Sequence, residues 1–158
     1  MIQRIQSVYL LLAALLAAML FALPLAEYAR NGGVSFILKL RRLETGEGVP
    51  VQDADLKLQP HLIAIVLIGL LLAALLFFRN RPRQLRLVRY SYLVAVLLAV
   101  VLWITHNSVL AFVSDGSHAG AVLTPWFFLP FAVLLFAGLA ERGIRKDEAL
   151  VRSADRLR

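Results

Sequence analysis

Three histidines, one aspartate and two runs of arginine are the residues here whose types could do chemistry. His61, His106, His118 and Asp115 all fall at the edges of apolar stretches, and Glu27 ends another such stretch. Imidazole and carboxylate together can hold Zn²⁺ or a similar ion. The spacing is not that of a ligand motif, because no two histidines stand one helical turn apart. Interfacial histidines at helix ends are the plainer expectation. No Ser-His-Asp or paired-carboxylate constellation stands out. Cysteine is absent, which removes disulfides, thiolate metal sites and cysteine nucleophiles. The expectation is no catalytic residue, no cofactor and no metal, with His61, His106, His118 and Asp115 as the candidates should a metal bind.

The arginines point elsewhere. Arg79, Arg81, Arg83, Arg86 and Arg89 follow one another without an intervening acid, and the chain ends on Arg142, Arg145, Lys146, Arg152, Arg156 and Arg158. The net charge is +7 and the pI near 10.6. A basic chain can meet nucleic acid, anionic lipid or acidic partners, and the position of the charge decides. Here it sits at the ends of apolar runs. That pattern fits topology determinants resting on anionic inner-leaflet lipid and no nucleic acid.

Those runs are the elements that must position everything else. Hydrophobic residues make up 60% of the chain and mean hydropathy is +0.76, where an ordinary soluble domain holds roughly 45–50%. A spanning helix needs about 20 mostly apolar residues. Four windows meet this at 5–26, 61–78, 88–107 and 119–140, leaving an outer loop at 27–60 and a tail at 141–158. The first window is longer than a signal-peptide core and lacks a good cleavage site, so it reads as an uncleaved anchor.

The positive-inside rule orients the spans. With the N-terminus, second loop and tail inside, twelve basic residues lie inside and five outside. Tyr9, Tyr90 and Tyr92 then mark the inner level, and Tyr28, Trp103 and Trp126 the outer one. With the third span starting after Arg89, no span holds Asp, Glu, Lys or Arg. That argues against a proton-coupled transporter.

Small residues four apart suggest helix contacts at Ala14, Ala18 and Ala22, at Gly69 and Ala73, and at Ser91, Ala95 and Ala99. Pro125 and Pro130 predict a bend in the fourth span. In the outer loop, Val34, Phe36, Leu38 and Leu40 alternate with mostly polar neighbours, as do Ala54, Leu56 and Leu58. This predicts a two-stranded hairpin over 34–58 turning at the Gly46 region, with edges open to a partner strand. The layout is similar in topology to the claudin-like arrangement, without the paired cysteines of that loop.

The tail predicts a short amphipathic helix over 144–157. Ile144, Val151 and Ala154 share a face, with Leu150 and Leu157 beside them. Glu141–Arg145 and Glu148–Arg152 have i,i+4 spacing. Such a helix can lie on the inner leaflet, or dock on a cytoplasmic partner, the second loop or the N-terminus. The interaction candidates are Arg145, Lys146, Asp147, Glu148, Arg152, Asp155, Arg156 and Arg158.

The N-terminal Met1-Ile2-Gln3-Arg4-Ile5-Gln6-Ser7, the C-terminal stretch from Arg145 to Arg158 and four spans in this length together resemble the bacterial membrane-protein family Domain of Unknown Function 4293. The resemblance covers the whole chain in layout and implies a bacterial inner-membrane location. It implies no activity and no catalytic residues. The expected fold is an all-α membrane protein, a four transmembrane helix bundle with a small extracytoplasmic β-hairpin and a short amphipathic C-terminal helix. The expected role is a non-enzymatic structural, scaffold or assembly component with a membrane or cytoplasmic protein partner. The alternatives are a small transporter or passive pore, and an enzyme with a histidine site at the outer face.

Overall fold

A computed structural model describes residues 3–30, 35–51, 58–78, 80–114 and 119–155, the last six of these and residues 3 and 4 by backbone alone. The described residues are mostly helical, with one small antiparallel sheet. In chain order come α1 (Gln3–Met19), β1 (Ala26–Arg30), β2 (Ser35–Leu38), β3 (Leu43–Thr45), α2 (Pro60–Leu76), α3 (Arg81–Ser114) and β4 (Ala119–Leu123). A 3-10 turn (Pro125–Phe128) then leads into α4 (Leu129–Asp155).

Each helix turns one stripe inward. On α1 the stripe is Gln6, Leu10, Ala13 and Ala17, continued by Leu20 just beyond the helix; on α2 it is Pro60, Ala64, Leu67, Leu71 and Ala74. On α4 it is Val133, Ala137, Ala140, Ile144 and Asp147. On α3 the stripe runs Gln84, Val88, Ser91, Ala95, Leu98, Leu102, Thr105 and Val109. Steps of four and three alternate throughout, which is the 3.5-residue repeat of left-handed bundle packing. α1 packs on α2 and α4, and α3 on α2 and α4. Small residues bring α1 close through Ala13, Ala17 and the expected Ala14, whereas the expected Ala18 and Ala22 are exposed. Ser91 and Ala95 pack inward as expected, whereas Gly69 faces outward with open space above it.

The helix limits differ from the apolar windows for physical reasons. α1 stops at Met19, and Leu20 to Leu25 turn the chain into β1 instead of continuing the helix. α3 starts at Arg81, so four of the clustered arginines are helical rather than loop residues. The fourth window opens on a strand, because Ala119–Leu123 pairs along β1. Pro125 and Pro130 therefore sit in first turns, where the missing N–H is tolerated, and do not bend a helix interior. No separate tail helix forms in the described residues: α4 runs on unbroken to Asp155.

The sheet order is β3-β2-β1-β4. A hairpin does form, but it closes earlier than the sequence predicts. Leu38 pairs with Leu43, and Lys39 N–H donates to the Arg42 carbonyl across the turn. The Gly46 region is a second turn, folding residues 49–51 back along β3. A Cβ at Gly46 would displace the Ser35 hydroxyl, and Gly48 has φ +82°, a conformation that favours glycine. The expected second strand lies largely at 52–57, outside the described residues. Thr124 anchors β4 by donating its hydroxyl to the Pro24 carbonyl at 2.6 Å. The sheet caps one end of the bundle, while Gln6 and Asp147 bring the two ends of the chain together at the other.

Candidate functional site

Among the described residues, the side-chain ion pairs and side-chain-to-side-chain hydrogen bonds lie at the two ends of the bundle. At the chain-terminal end, Gln6 Nε2 donates to Asp147 Oδ2 at 2.5 Å, with both side chains buried. Gly143 makes room for this contact, because a Cβ there would lie 2.8 Å from Gln6 Cγ. Beside it, Glu141 accepts from Arg89 of α3 at 3.3 Å and from Arg145 on its own helix. The Tyr92 hydroxyl also bonds Glu141. This set joins α1, α3 and α4 at one level.

The expected interaction residues are therefore divided by their surroundings. Asp147 is turned inward onto α1, and Arg145 is engaged with Glu141, as its i,i+4 spacing predicts. Lys146 is exposed and Glu148 half-buried. The side chains of Arg152 and Asp155, and Arg156 and Arg158 altogether, lie outside the described residues. Of the arginine cluster, Arg83, Arg86 and Arg89 are exposed along the first turns of α3 and Arg81 half-buried. Arg79 lies outside the described residues.

At the sheet end, the two described histidines, His61 and His106, lie in different surroundings. His106 on α3 is buried beneath β1, with Nδ1 2.7 Å from the Tyr28 hydroxyl. Their rings stack at 5.6 Å, and Phe127 meets His106 edge-on at 6.0 Å. Burial pushes the Tyr28 phenol up from its ordinary value, so it stays a hydroxyl that can donate to Nδ1. The hydroxyl can equally accept from Nδ1–H, and the imidazole tautomer sets which group donates. His61 stands apart in the first turn of α2. His118 and Asp115 lie outside the described residues. Among the described residues no three His, Cys, Asp or Glu side chains converge as a metal site would require.

Sequence reasoning missed a different cluster. Glu44 on β3 is buried, and Lys39 Nζ and Arg42 Nε each reach its carboxylate at 2.6 Å. The Lys39 hydrogen bond, with Arg42 second, holds the Glu44 carboxyl below its ordinary value of 4.5. Between this pair of cations and the end of α1 lies a recess of about 420 Å³, lined by Phe21, Ala22, Lys39, Arg41 and Arg42. A smaller recess of about 180 Å³ shares Arg41 and Arg42 and extends to Gln59, Pro60 and His61 at the start of α2. In the sequence these cations are scattered between strand residues. The turn at 39–42 is what gathers them.

No curated protein matches the chain. The family model described as Domain of unknown function (DUF4293) matches residues 2–157. Nearly the whole chain, from the buried Gln6 to the last turn of α4, is thus covered, and the protein belongs to the DUF4293 family.

Proposed function

We propose that this protein is a four-span bacterial inner-membrane protein of the structural kind, a scaffold or assembly component, with both ends cytoplasmic and the sheet outside. The observation that carries the membrane placement is the double-sided apolarity of the bundle. α3 buries one stripe and still exposes Leu93, Val96, Leu97, Val100, Ile104 and Phe112. From Leu93 to Phe112 that face rises about 29 Å at 1.5 Å per residue, close to the ~30 Å hydrocarbon core. A water-facing helix would be polar there.

Two helices, Arg81–Ser114 and Pro125–Ala149, are long and apolar enough to cross a membrane. α1 and α2 have 17 residues each, at the lower limit for a span. α1 packs on α4, α2 on α3 and the two on each other, and they expose Leu11, Leu15, Ile65 and Val66. That placement supports four spans. The charge distribution supports the orientation, since Arg81, Arg83, Arg86 and Arg89 share with Arg142, Arg145 and Lys146 the end of the bundle where Gln6 meets Asp147.

A non-conducting role is supported by the interior. Leu10, Ala13, Leu67, Leu71, Leu98 and Leu102 fill the middle of the bundle at 0–1% exposure. Such packing runs against a water-filled path. Reporter fusions after Arg83 and at the C-terminus should report the cytoplasm, and fusions near Gly46 and Gly116 the outside. An outside signal from Arg83 rejects the topology. The scaffold role is tested by cross-linking in native membranes followed by co-purification. A protein that is recovered alone at normal abundance under those conditions is not a scaffold.

A further inference from the structure

The basic cleft at the sheet end is built to receive an anion. Glu44 fixes Lys39 and Arg42 from below while leaving donors over. Arg42 spends its Nε on the carboxylate and keeps two Nη groups, and the Lys39 ammonium keeps protons beyond the one facing Glu44. Arg41 is exposed and makes no ion pair among the described residues. Among the described residues the cleft thus holds three cations against the one carboxylate of Glu44, and is positive after internal pairing.

α2 starts at the same cleft. Gln59 provides no side-chain cap, so the first-turn N–H groups add their partial positive charge beside Arg41, Arg42 and His61. The site does not rest on that helix end alone, because the pre-positioned cations line both recesses.

The surroundings select the kind of anion. Phe21 and Ala22 form one wall, and Leu43 and Val51 another. Away from the cleft, the outward faces of α1 and α2 are apolar, with Leu15, Met19, Leu62 and Val66 exposed. A ligand with a phosphate at the cleft and an acyl chain along those faces satisfies both. We propose that Lys39, Arg41 and Arg42 bind the phosphate of an anionic phospholipid headgroup in the outer leaflet.

The inference rests on the four-span reading, which the reporter fusions judge separately. A normal topology with no anionic-lipid preference rejects the cleft alone. The absence of native cysteine allows a direct test. The full chain carrying Ala22→Cys is labelled with an environment-sensitive fluorophore in zwitterionic detergent. It is titrated with short-chain phosphatidylglycerol, short-chain phosphatidylcholine and inorganic phosphate.

Phosphatidylglycerol should saturate the signal and bind at least about tenfold more tightly than either alternative, the scale of a charge-assisted contact. Arg41→Gln should weaken it by about tenfold, while Arg86→Gln, at the opposite end, leaves the signal unchanged. Arg41 is exposed and makes no ion pair among the described residues, so its loss spares the fold. Equal titration by the two lipids overturns the proposal. Inorganic phosphate binding as tightly as phosphatidylglycerol overturns the lipid as source. An unaltered Arg41→Gln titration overturns the site.

Discussion

Gln6 and Asp147 stand 141 positions apart in the chain and 2.5 Å apart in space. Their bond ties the first turns of α1 to the end of α4 and closes the bundle at the level of the termini. Both belong to the 3.5-residue stripes that elsewhere bury Leu and Ala. Each is a polar group at a core position that is acceptable only because the other is there.

Gln6→Ala should therefore cost about 1–3 kcal/mol, the penalty for stranding a buried acceptor. Asp147→Asn keeps an acceptor for the amide and should cost less. The double change Gln6→Leu with Asp147→Leu removes both polar groups and should recover much of the single loss. Thermal unfolding in detergent gives the ranking. Additive losses in the double variant would show that the two residues are not coupled.

Gly143 and Gly69 should respond to alanine with opposite signs. A Cβ at Gly143 meets Gln6 Cγ at 2.8 Å, and Gln6 cannot swing away without leaving Asp147. Overpacking of this kind costs typically about 1–3 kcal/mol. Gly69 has nothing within 4 Å of its would-be Cβ. Gly69→Ala should leave stability unchanged or raise it by up to ~1 kcal/mol through helix propensity. Equal destabilisation at both sites would contradict the packing of α1 against α4.

The sheet should loosen in acid through Glu44. Its folded carboxyl is held below 4.5, chiefly by the Lys39 hydrogen bond and then by Arg42. A depressed folded value means a stabilising contribution that is full above 4.5 and is lost as pH falls through the lower folded value. The melting temperature of the wild type should drop over that acidic range. Glu44→Gln should start lower at neutral pH and show a smaller acid-induced drop. Parallel curves for the two proteins would exclude Glu44 as the titrating group.

Tyr28 contributes both a ring and a hydroxyl to the end of the bundle. Tyr28→Phe keeps the stack on His106 but leaves the buried Nδ1 without its partner, an expected loss of about 1–3 kcal/mol. Tyr28→Leu also removes ring contacts and opens space under β1, so it should cost more. Unfolding midpoints test the order. A Tyr28→Phe protein as stable as wild type would mean that the hydroxyl–imidazole contact is dispensable.

Four helices were legible in the sequence because each carries a long apolar run. The inward stripes were legible only in part, at Ala14, Ser91 and Ala95, because both faces of each helix are apolar and little polarity contrast marks the buried one. Ala13 and Ala17 carry the same composition signal as the exposed Ala18 and Ala22. β1 and β4 were hidden for a related reason. Ala119–Leu123 is a short apolar run continuous with the helix that follows, and periodicity alone cannot separate it from a span. The alternation at Phe36 and Leu38 did reveal a strand. The turn that closes it was missed because Lys39-Leu40-Arg41-Arg42 has no Gly, Pro, Asn or Asp to announce it. The cationic cleft follows from that turn, so it too was out of reach. His106 lies beneath the sheet, and its partner Tyr28 is set by strand register, which spacing does not encode.

The end of α4 separates a packing role from a docking role. The inward stripe reaches Asp147, so the turns up to that residue hold the bundle together. Ending the chain after Ala140 removes Glu141, Ile144 and Asp147 together, frees Arg89 of its partner and strands Gln6. That protein should unfold at markedly lower temperature or be degraded. Ending it after Leu150 leaves these contacts in place, and abundance, topology and melting temperature should match the full chain. Any partner lost on the shorter truncation is therefore held by residues 151–158 and not by a damaged bundle. Arg152 then distinguishes two kinds of contact. Arg152→Lys keeps a point charge for the lipid surface and should be silent if the tail only rests there. A bidentate contact to a partner carboxylate should weaken on the same change and weaken further on Arg152→Ala. Quantitative pull-downs from cross-linked membranes measure both. Full partner retention in the truncation after Leu150 and in both Arg152 variants would remove the tail as a docking element and leave α4 a packing helix alone.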